Sequence, residues 1–314
     1  MPPLISICIP AYKNAGYLKV LLDSVAIQQF RDFEVLVSDD SPDNSVEQLC
    51  AGYASAFKLV YKKNTPPKGS PANWNEAIRM ATGTWIKIMH DDDWFSDPGS
   101  LSAFAHAANE QPGAGFIFSG YRKFLNGKLT EEKIPGQTVI RKLSDPVNLV
   151  AENLIGHPST TMVKRDNGLW YDERLQWVVD IDFYIRCLQN TSFYAIPQPL
   201  VNIGMSDQQI TAAAFRNSAI EIPEYLYLLG KMGEEILHKL MIYDHYWRLF
   251  RNLKIRSLDQ VEALSGNNKL PEKLRAMLKM EFALPLGILK VGVFSKFFMA
   301  ISFLVNRGKR KINQ

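Results

Sequence analysis

Short apolar runs rich in β-branched residues alternate with stretches of helical periodicity through residues 4–90, and this alternation limits the fold more than any other feature of the sequence. The strand-like runs cover 4–10, 33–40, 57–63 and 84–90, and the helical stretches cover 17–29, 45–54 and 72–81. Strands that alternate with helices of about ten residues indicate βαβ units. The sequence therefore predicts an α/β fold, in which helices flank a mostly parallel, Rossmann-like mixed sheet.

The remainder of the chain is less regular, and the domain boundary is predicted where its pattern becomes wholly helical. We predict a strand over 114–124, a turn at 129–135, helices over 147–155 and 180–190, and a strand over 192–203. From about residue 215 the pattern is helical to the end of the 314 residues, a length that suits one large α/β domain with an appendage. We therefore divide the chain into an α/β domain, 1–210, and a helical C-terminal region, 211–314.

The positive charge of the sequence is concentrated at its C-terminal end. The net charge is +4, but residues 282–314 contain six basic and no acidic residues, so removing them leaves −2 for residues 1–281. Nucleic-acid binding would need a basic face with interleaved aromatic residues on the folded body. The sequence lacks such a face, and we predict no nucleic-acid partner.

The cysteines and the N-terminus indicate a cytoplasmic protein. Cys8, Cys50 and Cys187 are odd in number and share no metal-ligand spacing, which favours reduced, buried thiols. No basic segment precedes the first apolar run, so we predict no signal peptide.

Acidic side chains follow two of the predicted strands. "SDD" (38–40) closes the second strand, and Asp91–Asp93 follow the fourth. Ligands of α/β sheets bind beyond the carboxyl ends of the strands, so these clusters mark a candidate site. An acid after the second strand can accept hydrogen bonds from a ribose hydroxyl or a base N–H, although "DDSPDN" is also good turn chemistry. Neither G-x-G-x-x-G nor G-x-x-x-x-G-K-[ST] occurs in the sequence, which excludes the usual dinucleotide and P-loop interpretations.

Three adjacent carboxylates repel one another unless a cation lies among them. Asp91, Asp92 and Asp93 offer oxygen ligands without a neighbouring cysteine, which suits a hard divalent cation, Mg²⁺ or Mn²⁺. Such a metal is usually shared with substrate phosphates. We expect His90 to be a hydrogen-bonding partner of this cluster rather than a ligand.

Taken in order, these motifs resemble those of glycosyltransferase family 2, enzymes with the nucleotide-sugar-binding fold called GT-A. The matching stretches are 5–25, 33–45, 72–95, 156–166 and 178–188, so the resemblance covers roughly residues 4–210. It implies a GT-A fold for 1–210 and a nucleoside-diphosphate sugar as the donor.

The resemblance also implies the residues that bind the donor. Pro10, Ala11 and Tyr12 match the loop beneath the nucleotide base, and Asp39, with Asp40 beside it, matches the contact to base or ribose. The complete predicted set for the nucleotide sugar is Pro10, Ala11, Tyr12, Asn14, Asp39, Asp40, Lys68, Asn73, Asp91 and Asp92.

The acidic triplet matches the family's D-x-D motif in either of two registers. Aligned from its ends, the metal pair is Asp91 and Asp93, which we take as the predicted ligands. Aligned on Trp94, the pair is Asp92 and Asp93, with His90 where the family often has its first acid. Asp93 belongs to both registers and is therefore the firmest predicted ligand.

Asp180 and Asp182 are the predicted catalytic residues. The family commonly places an acidic pair six and seven residues before an arginine, the second acid being the catalytic base, and counting back from Arg186 puts Asp180 at the base. Asp182 matches a more variable acidic position. Without the resemblance, both would be interpreted as acids favoured at a helix N-terminus.

Two departures from the family pattern concern basic residues. The Arg-x-His that often follows the last strand is replaced by Gly204 and Ser206, so phosphate contacts would come from Lys68 or Arg165. Trp74 stands where many members have an arginine on the nucleotide side.

The resemblance implies an inverting, metal-assisted sugar transfer to a hydroxyl of a glycan or lipid-linked glycan in polysaccharide biosynthesis, with an aspartate as general base. The alternatives are a sugar-nucleotidyltransferase and a degenerate paralogue that binds sugars or serves as an assembly partner. The first of these normally has a basic, glycine-rich loop after its first strand, which "PAYKNAGY" (10–17) matches poorly.

Residues 285–314 are a predicted membrane contact. Lys290 and Lys296 interrupt the apolar stretch too much for a membrane span. Wound as one helix, the stretch has Ser295, Ser302 and Asn306 opposite an apolar face of Leu286, Leu289, Val293, Phe297, Ile301 and Leu304. Such a helix either packs on its own domain or lies in the plane of an anionic membrane. The lipid-linked acceptors of the family favour the second, a cytoplasmic protein held peripherally on the inner face of the cell membrane.

Overall fold

The computed structural model describes residues 1–168, 170–205 and 215–307. The chain separates into two compact units. Unit 1 contains residues 1–146 and 154–209, and unit 2 contains residues 147–153 and 210–314. Within the described ranges, no helix is long and apolar enough to cross a membrane.

Unit 1 is built on a mixed, nine-stranded sheet. Its strands are β1 (Ile5–Ala11), β2 (Phe33–Asp39), β3 (Leu59–Lys63), β4 (Trp85–Ile88), β5 (Asp93–Phe95), β6 (Ala114–Leu125), β7 (Lys128–Lys133), β8 (Thr161–Lys164) and β9 (Ser192–Met205). They lie in the order β3-β2-β1-β4-β8-β6-β9-β5, with β7 beside β6. The pairs within β1–β4 and the pair β6–β9 are parallel, and β4–β8, β6–β8, β6–β7 and β5–β9 are antiparallel.

Helices cover the sheet of unit 1 and bury β1, β2 and β4 at every position. The helices are α1 (Ala15–Ala26), α2 (Ser45–Ala51), α3 (Ala72–Arg79), α4 (Ser100–Glu110), α5 (Gln137–Leu143) and α6 (Val179–Asn190), with 3₁₀ turns at Pro158–Thr160 and Arg165–Asn167. β1 and β2 are buried at every position, as their nearly continuous apolar sequences indicate for strands covered on both faces. The predicted α/β fold is confirmed.

The predictions of elements fail where the segments are short or weakly periodic. Residues 129–135, predicted as a turn, contain β7, which forms a hairpin with β6 through Asn126 and Gly127 at positive φ. The helix predicted over 147–155 is only a 3₁₀ turn, Pro146–Val150. No element is predicted over β5, α4, α5 or β8, and the two strands are three and four residues long, too short for a periodic pattern.

Unit 2 is helical over its described residues. Its elements are α7 (Ser218–Met232), a 3₁₀ helix (Glu234–His238), α8 (Leu240–Asn252), α9 (Leu258–Leu264), α10 (Glu272–Phe282), α11 (Leu286–Lys290) and α12 (Gly292–Arg307). The single C-terminal helix of the prediction is therefore two helices, interrupted at Val291, which is extended.

The last helix of unit 2, α12, turns its polar stripe inward. Ser295 accepts hydrogen bonds from the indole of Trp247 (3.0 Å) and from Arg251 (2.9 Å), and Ser302 lies 2.7 Å from the hydroxyl of Tyr243. Asn306 donates to the same tyrosine hydroxyl at 2.9 Å. The apolar side chains opposite are exposed, up to 77% for Val293 and 65% for Leu304; the others are Phe294, Phe297 and Val305.

Candidate functional site

The parallel register of β1, β2 and β4 brings the predicted site segments to one edge of the sheet. Ala11, the last residue of β1, pairs with Asp39, the last residue of β2. β4 lies on the other side of β1, and the backbone N–H of Tyr12 donates to Asp91 Oδ2 at 3.0 Å. The loop after β1 is therefore tied directly to the acidic triplet.

The two acids after β2 have different hydrogen-bond partners, and both are buried. Asp39 accepts from the backbone of Ser41 (2.8 Å), the hydroxyl of Tyr61 (2.8 Å) and the ammonium of Lys63 (3.2 Å). A carboxylate has about four lone-pair sites, so these three bonds leave Asp39 the capacity for one more donor, although its side chain is fully buried.

Asp40 holds the loop that follows β3. Its oxygens accept from the side-chain amide of Asn64 (2.8 Å) and from the backbone N–H groups of Lys68 (3.0 Å) and Gly69 (2.7 Å). The Lys68 side chain is exposed on this loop. Asp40 thus places Lys68 at the carboxyl edge of the sheet.

Asn73, Asn14 and Tyr12 surround the end of β1. Asn73 accepts from Asn64 at 3.0 Å and donates to the carbonyl of Ala11 at 3.3 Å, which ties α3 to β1. Asn14 precedes the first residue of α1, and its side chain makes no capping hydrogen bond. Pro10 is buried in β1, whereas the Tyr12 ring is half exposed, with the ammonium of Lys13 4.7 Å from its centre.

Asp93 is the most deeply buried residue of the triplet, at 2% exposure. The backbone N–H of Gly204 on β9 donates to its Oδ1 at 3.1 Å, and the hydroxyl of Ser159 is also hydrogen-bonded to its carboxylate. Burial and the neighbouring Asp92 raise the pKa of Asp93 well above its ordinary value. Burial likewise raises the pKa of Asp91, to about 7.

The structure groups Asp93 with Asp92 and His90. Each of these residues offers one ligand atom, and the three atoms lie within 4.8 Å of one another. The Nε2 of His90 is buried without a hydrogen-bond partner among the described residues. Burial, assisted by Lys87, lowers the pKa of His90 to about 4, so its imidazole is neutral at pH 7 and has a lone pair to offer.

This geometry differs from two of the sequence predictions. Asp91, predicted as a metal ligand with Asp93, instead accepts the N–H of Tyr12 and is not in the metal-compatible group. His90, predicted as a hydrogen-bonding partner, belongs to that group. The residues fit the register aligned on Trp94, and one imidazole nitrogen with two carboxylate oxygens suits a divalent cation.

Lys87 on β4 lies behind the metal-compatible group and is absent from the sequence predictions. It is fully buried, and its ammonium donates to the carbonyl of Ser159 and, at 3.3 Å, to that of Ile88. Burial lowers the pKa of Lys87 to about 7, although Asp93 nearby opposes the change. The feature of the sequence that could have revealed Lys87 is its position as the one charged residue within an otherwise apolar strand of four residues.

An aromatic series connects His90 with α6. The rings of Trp74 and His90 are 4.5 Å apart, those of Trp74 and Tyr171 5.0 Å, and those of Tyr171 and Phe183 4.1 Å. Asn75 fixes this arrangement because its amide donates to the carbonyl of Tyr171 and accepts its N–H. Trp74, which replaces an arginine of the family pattern, therefore supports His90.

The two predicted catalytic acids of α6 have different surroundings. Asp182 is fully buried and accepts from Arg186 at 2.9 Å and 2.7 Å, while Arg186 also donates to the carbonyl of Trp170. Asp180 lies in the first helical turn, is partly exposed, and accepts the N–H of Ile181 at 2.8 Å. Of the two acids, Asp180 is the more exposed residue.

The residues suggested to replace Arg-x-His are placed differently. Arg165 donates to the carbonyl of Gly83, just before β4, which is the opposite end of that strand from the triplet, so the alternative of a phosphate contact from Arg165 is wrong. Lys68 stays at the site edge. Gly204 approaches the triplet so closely that a Cβ there would lie 2.2 Å from the carbonyl oxygen of Asp92. Ser206 lies outside the described residues.

The comparisons with known proteins agree with this fold. The family model described as "Glycosyl transferase family 2" matches residues 6–167, and the chain belongs to that family. The chain is 30% identical over 194 residues, 60% of its length and 66% of the relative's, to an uncharacterised glycosyltransferase of Methanocaldococcus jannaschii. It is 25% identical over 195 residues to the poly(ribitol-phosphate) β-N-acetylglucosaminyltransferase TarS of Staphylococcus aureus, 60% of this chain but only 33% of that protein.

Solved structures extend the similarity over nearly the whole chain. The structure of S. aureus TarS 1–349 in complex with UDP-GlcNAc matches with a TM-score of 0.59 and 17% identity, covering 99% of this chain and 93% of that one. The mannosyltransferase PcManGT of Pyrobaculum calidifontis, in complex with GDP-Man and Mn²⁺, matches with a TM-score of 0.56 and 17% identity, covering 98% and 87%. These likenesses show that the fold is GT-A, and the family match places the chain in glycosyltransferase family 2.

Proposed function

We propose that the protein transfers a sugar from a nucleoside-diphosphate sugar to a hydroxyl of a glycan or lipid-linked glycan, in polysaccharide biosynthesis. The observation that carries this proposal is the carboxyl edge of the sheet, where Asp39 ends β2 and the His90–Asp92–Asp93 group follows β4, the two strands that pair in parallel with β1 on either side. Both structural relatives named above are described in complex with a nucleotide sugar, which supports this donor class.

The donor would lie across the carboxyl ends of β1, β2 and β4. The exposed ring of Tyr12 offers a stacking surface for the base, and Asp39 an acceptor for base or ribose. The exposed Lys68 offers a charge to a phosphate. Pro10, Ala11, Asn14 and Asn73 would shape the walls of this donor site within residues 1–210.

A divalent cation, Mn²⁺ or Mg²⁺, would be held by Asp92, Asp93 and His90. The unpartnered, buried Nε2 of His90 is the observation that favours this set. When bound, the cation supplies Lewis-acid stabilisation of the charge that develops on the departing diphosphate.

Asp180 would act as the general base. The acceptor hydroxyl loses its proton as its oxygen attacks the anomeric carbon, and a partly exposed carboxylate can take that proton. Asp182 cannot easily do so because Arg186 already engages it in the interior. One base without an enzyme nucleophile gives a single displacement, and hence inversion at the anomeric carbon.

Release of nucleoside diphosphate from a panel of nucleotide sugars tests the function. We expect release with at least one donor, stimulated by an acceptor glycan and lost in excess chelator. Exchange of pyrophosphate in place of this release would support the nucleotidyltransferase alternative. Binding of donors without any turnover would instead support the degenerate paralogue.

We also propose that α12 lies on the inner face of the cell membrane. Its apolar face is exposed, its polar stripe is already satisfied inside unit 2, and Lys290, Lys296 and Arg307 are exposed beside it. The sequence then adds Lys309, Arg310 and Lys311, outside the described residues. Anionic lipid complements this charge, and each basic residue near the surface contributes about 1 kcal/mol.

Flotation with anionic vesicles at low salt tests the membrane contact. Exchanging Val293 and Phe297 for serine should weaken binding at least about tenfold, because each large apolar side chain contributes about 1.5–3 kcal/mol when buried. Leu240→Ser is the matched control, since Leu240 is an exposed apolar residue on α8. Donor hydrolysis should not change in either variant. Equal binding of the two variants would contradict the proposal.

A further inference from the structure

Lys87 is a charged residue in surroundings that do not require one. Its ammonium lies 4.9 Å from the ring centre of Phe104 and 5.7 Å from that of Phe95, and 3.1 Å from the sulfur of Met89. Burying an ammonium costs free energy unless its hydrogen bonds are satisfied. A leucine or methionine would fill this space without that cost, so packing does not account for the lysine.

The ammonium is bonded to the turn that supports the metal-compatible group. It donates to the carbonyl of Ser159, in the 3₁₀ turn Pro158–Thr160. The hydroxyl of the same serine accepts the backbone N–H of His90 at 2.9 Å and is hydrogen-bonded to the carboxylate of Asp93. Ser159 is fully buried, so these bonds have no competition from solvent.

We propose that Lys87 is a positioning residue for the metal group. Its ammonium fixes the backbone of Ser159, and the hydroxyl of Ser159 fixes the main chain of His90 and the side chain of Asp93. The proposal rests on the proposed function, since it concerns the residues that would hold the cation. Outer partners of this kind commonly affect metal affinity about 10–100-fold.

The test measures Mn²⁺ binding directly, by the electron paramagnetic resonance signal of free Mn²⁺, beside turnover. Lys87→Met keeps an unbranched side chain as far as Cε and removes the donor, and we expect it to weaken Mn²⁺ binding at least about tenfold. Lys87→Gln keeps an N–H donor without the charge and should restore most of the affinity. Phe104→Leu is the matched control, because it disturbs the packing around the Lys87 stem but leaves the hydrogen bond to Ser159.

A double-mutant cycle separates positioning from a general loss of stability. Ser159→Ala alone should weaken Mn²⁺ binding as Lys87→Met does, and the two changes together should do little more, because both break one series of hydrogen bonds. The proposal is overturned if the losses of Mn²⁺ affinity in the two single variants multiply in the double variant. It is also overturned if Lys87→Met binds Mn²⁺ with wild-type affinity, or if Lys87→Met and Lys87→Gln lose the same affinity.

The wild-type protein keeps the two proposals distinguishable. If it binds Mn²⁺ and releases nucleoside diphosphate while Lys87→Met binds equally well, only the positioning role fails. If it binds Mn²⁺ with the expected dependence on Lys87 but turns over no donor, only the sugar transfer fails. If it binds no Mn²⁺ under any condition that preserves the fold, the positioning role fails together with the metal site.

Discussion

Glu34 in unit 1 and Glu281 in unit 2 are almost completely buried, but their carboxylates have opposite hydrogen-bonding environments. Glu34 in unit 1 accepts hydrogen bonds from Ser6 (2.8 Å), Lys58 (2.6 Å) and both the N–H and hydroxyl of Thr82 (2.8 and 2.7 Å). Glu281 in unit 2 is equally buried, but neither of its carboxylate oxygens has a hydrogen-bond partner among the described residues.

The consequence is a difference in protonation. Burial alone would raise the pKa of Glu34, but the hydrogen bonds from Lys58, Thr82 and Ser6 outweigh it and lower the pKa to about 2. Burial raises the pKa of Glu281 to about 8, although Arg256 and Arg251 oppose the change. Glu34 is therefore charged at pH 7, whereas Glu281 is neutral.

The strongest test of unit 1 as the catalytic unit is Asp93→Ala. We expect transfer to fall about 10³-fold or more, the scale on which a main electrostatic contribution to catalysis is lost. Turnover and Mn²⁺ binding are measured together, with the α12 exchange of Val293 and Phe297 as the control in unit 2. If the wild-type protein keeps its full activity in excess chelator, the assignment of a divalent cation to this site is wrong.

Substitutions of the two acids of α6 should affect different properties, kcat for Asp180 and the free energy of unfolding for Asp182. Asp180→Asn should lower kcat by about 10²-fold or more through loss of the general base, while donor binding and thermal stability remain. Asp182→Asn should instead lower the free energy of unfolding by about 3 kcal/mol, because Arg186 loses its buried partner. A stable Asp182→Asn protein with the larger loss of kcat would assign the base to Asp182.

The charge of Glu34 should be visible in the pH dependence of stability. Its native pKa lies below the unfolded value of 4.5, so its contribution is complete above pH 4.5 and is lost as pH falls through about 2. Glu34→Gln should therefore cost about 3 kcal/mol at pH 7 and progressively less toward pH 2. Urea unfolding across this range measures the difference, and a cost independent of pH would contradict the charge argument.

Glu281 should give an effect of the opposite sign on the pH dependence of stability. Its native pKa lies above the unfolded value of 4.5, so its contribution is complete below pH 4.5 and is lost as pH rises through about 8. Glu281→Gln should therefore stabilise unit 2 by about 4–5 kcal/mol at pH 9, since the pKa rises from 4.5 to about 8 and one unit of pKa corresponds to 1.36 kcal/mol. Thermal unfolding at pH 5 and pH 9 measures this, and destabilisation at pH 9 would mean that the carboxylate has a partner.

The sequence predicts the elements whose periodicity is strong and whose partners are local. β1, β2 and α6 fall close to their predicted bounds. The metal register could not be predicted, because the choice among adjacent carboxylates depends on Tyr12, which is distant in sequence from Asp91. Asp180 and Asp182 could not be separated either. Residues two positions apart on a helix, such as these two, point about 200° away from each other. Which of the two is buried depends on the packing of Arg186 and its neighbours.

Gly204 has a consequence for any attempt to graft features of other family members onto this chain. Many members have an arginine there, and restoring it looks like a gain of one phosphate contact. Here, any side chain at 204 would collide with the main chain of Asp92. We therefore expect an arginine at position 204 to displace Asp92 of the metal-compatible group. The variant would bind the cation more weakly, and its recognition of the donor would not improve.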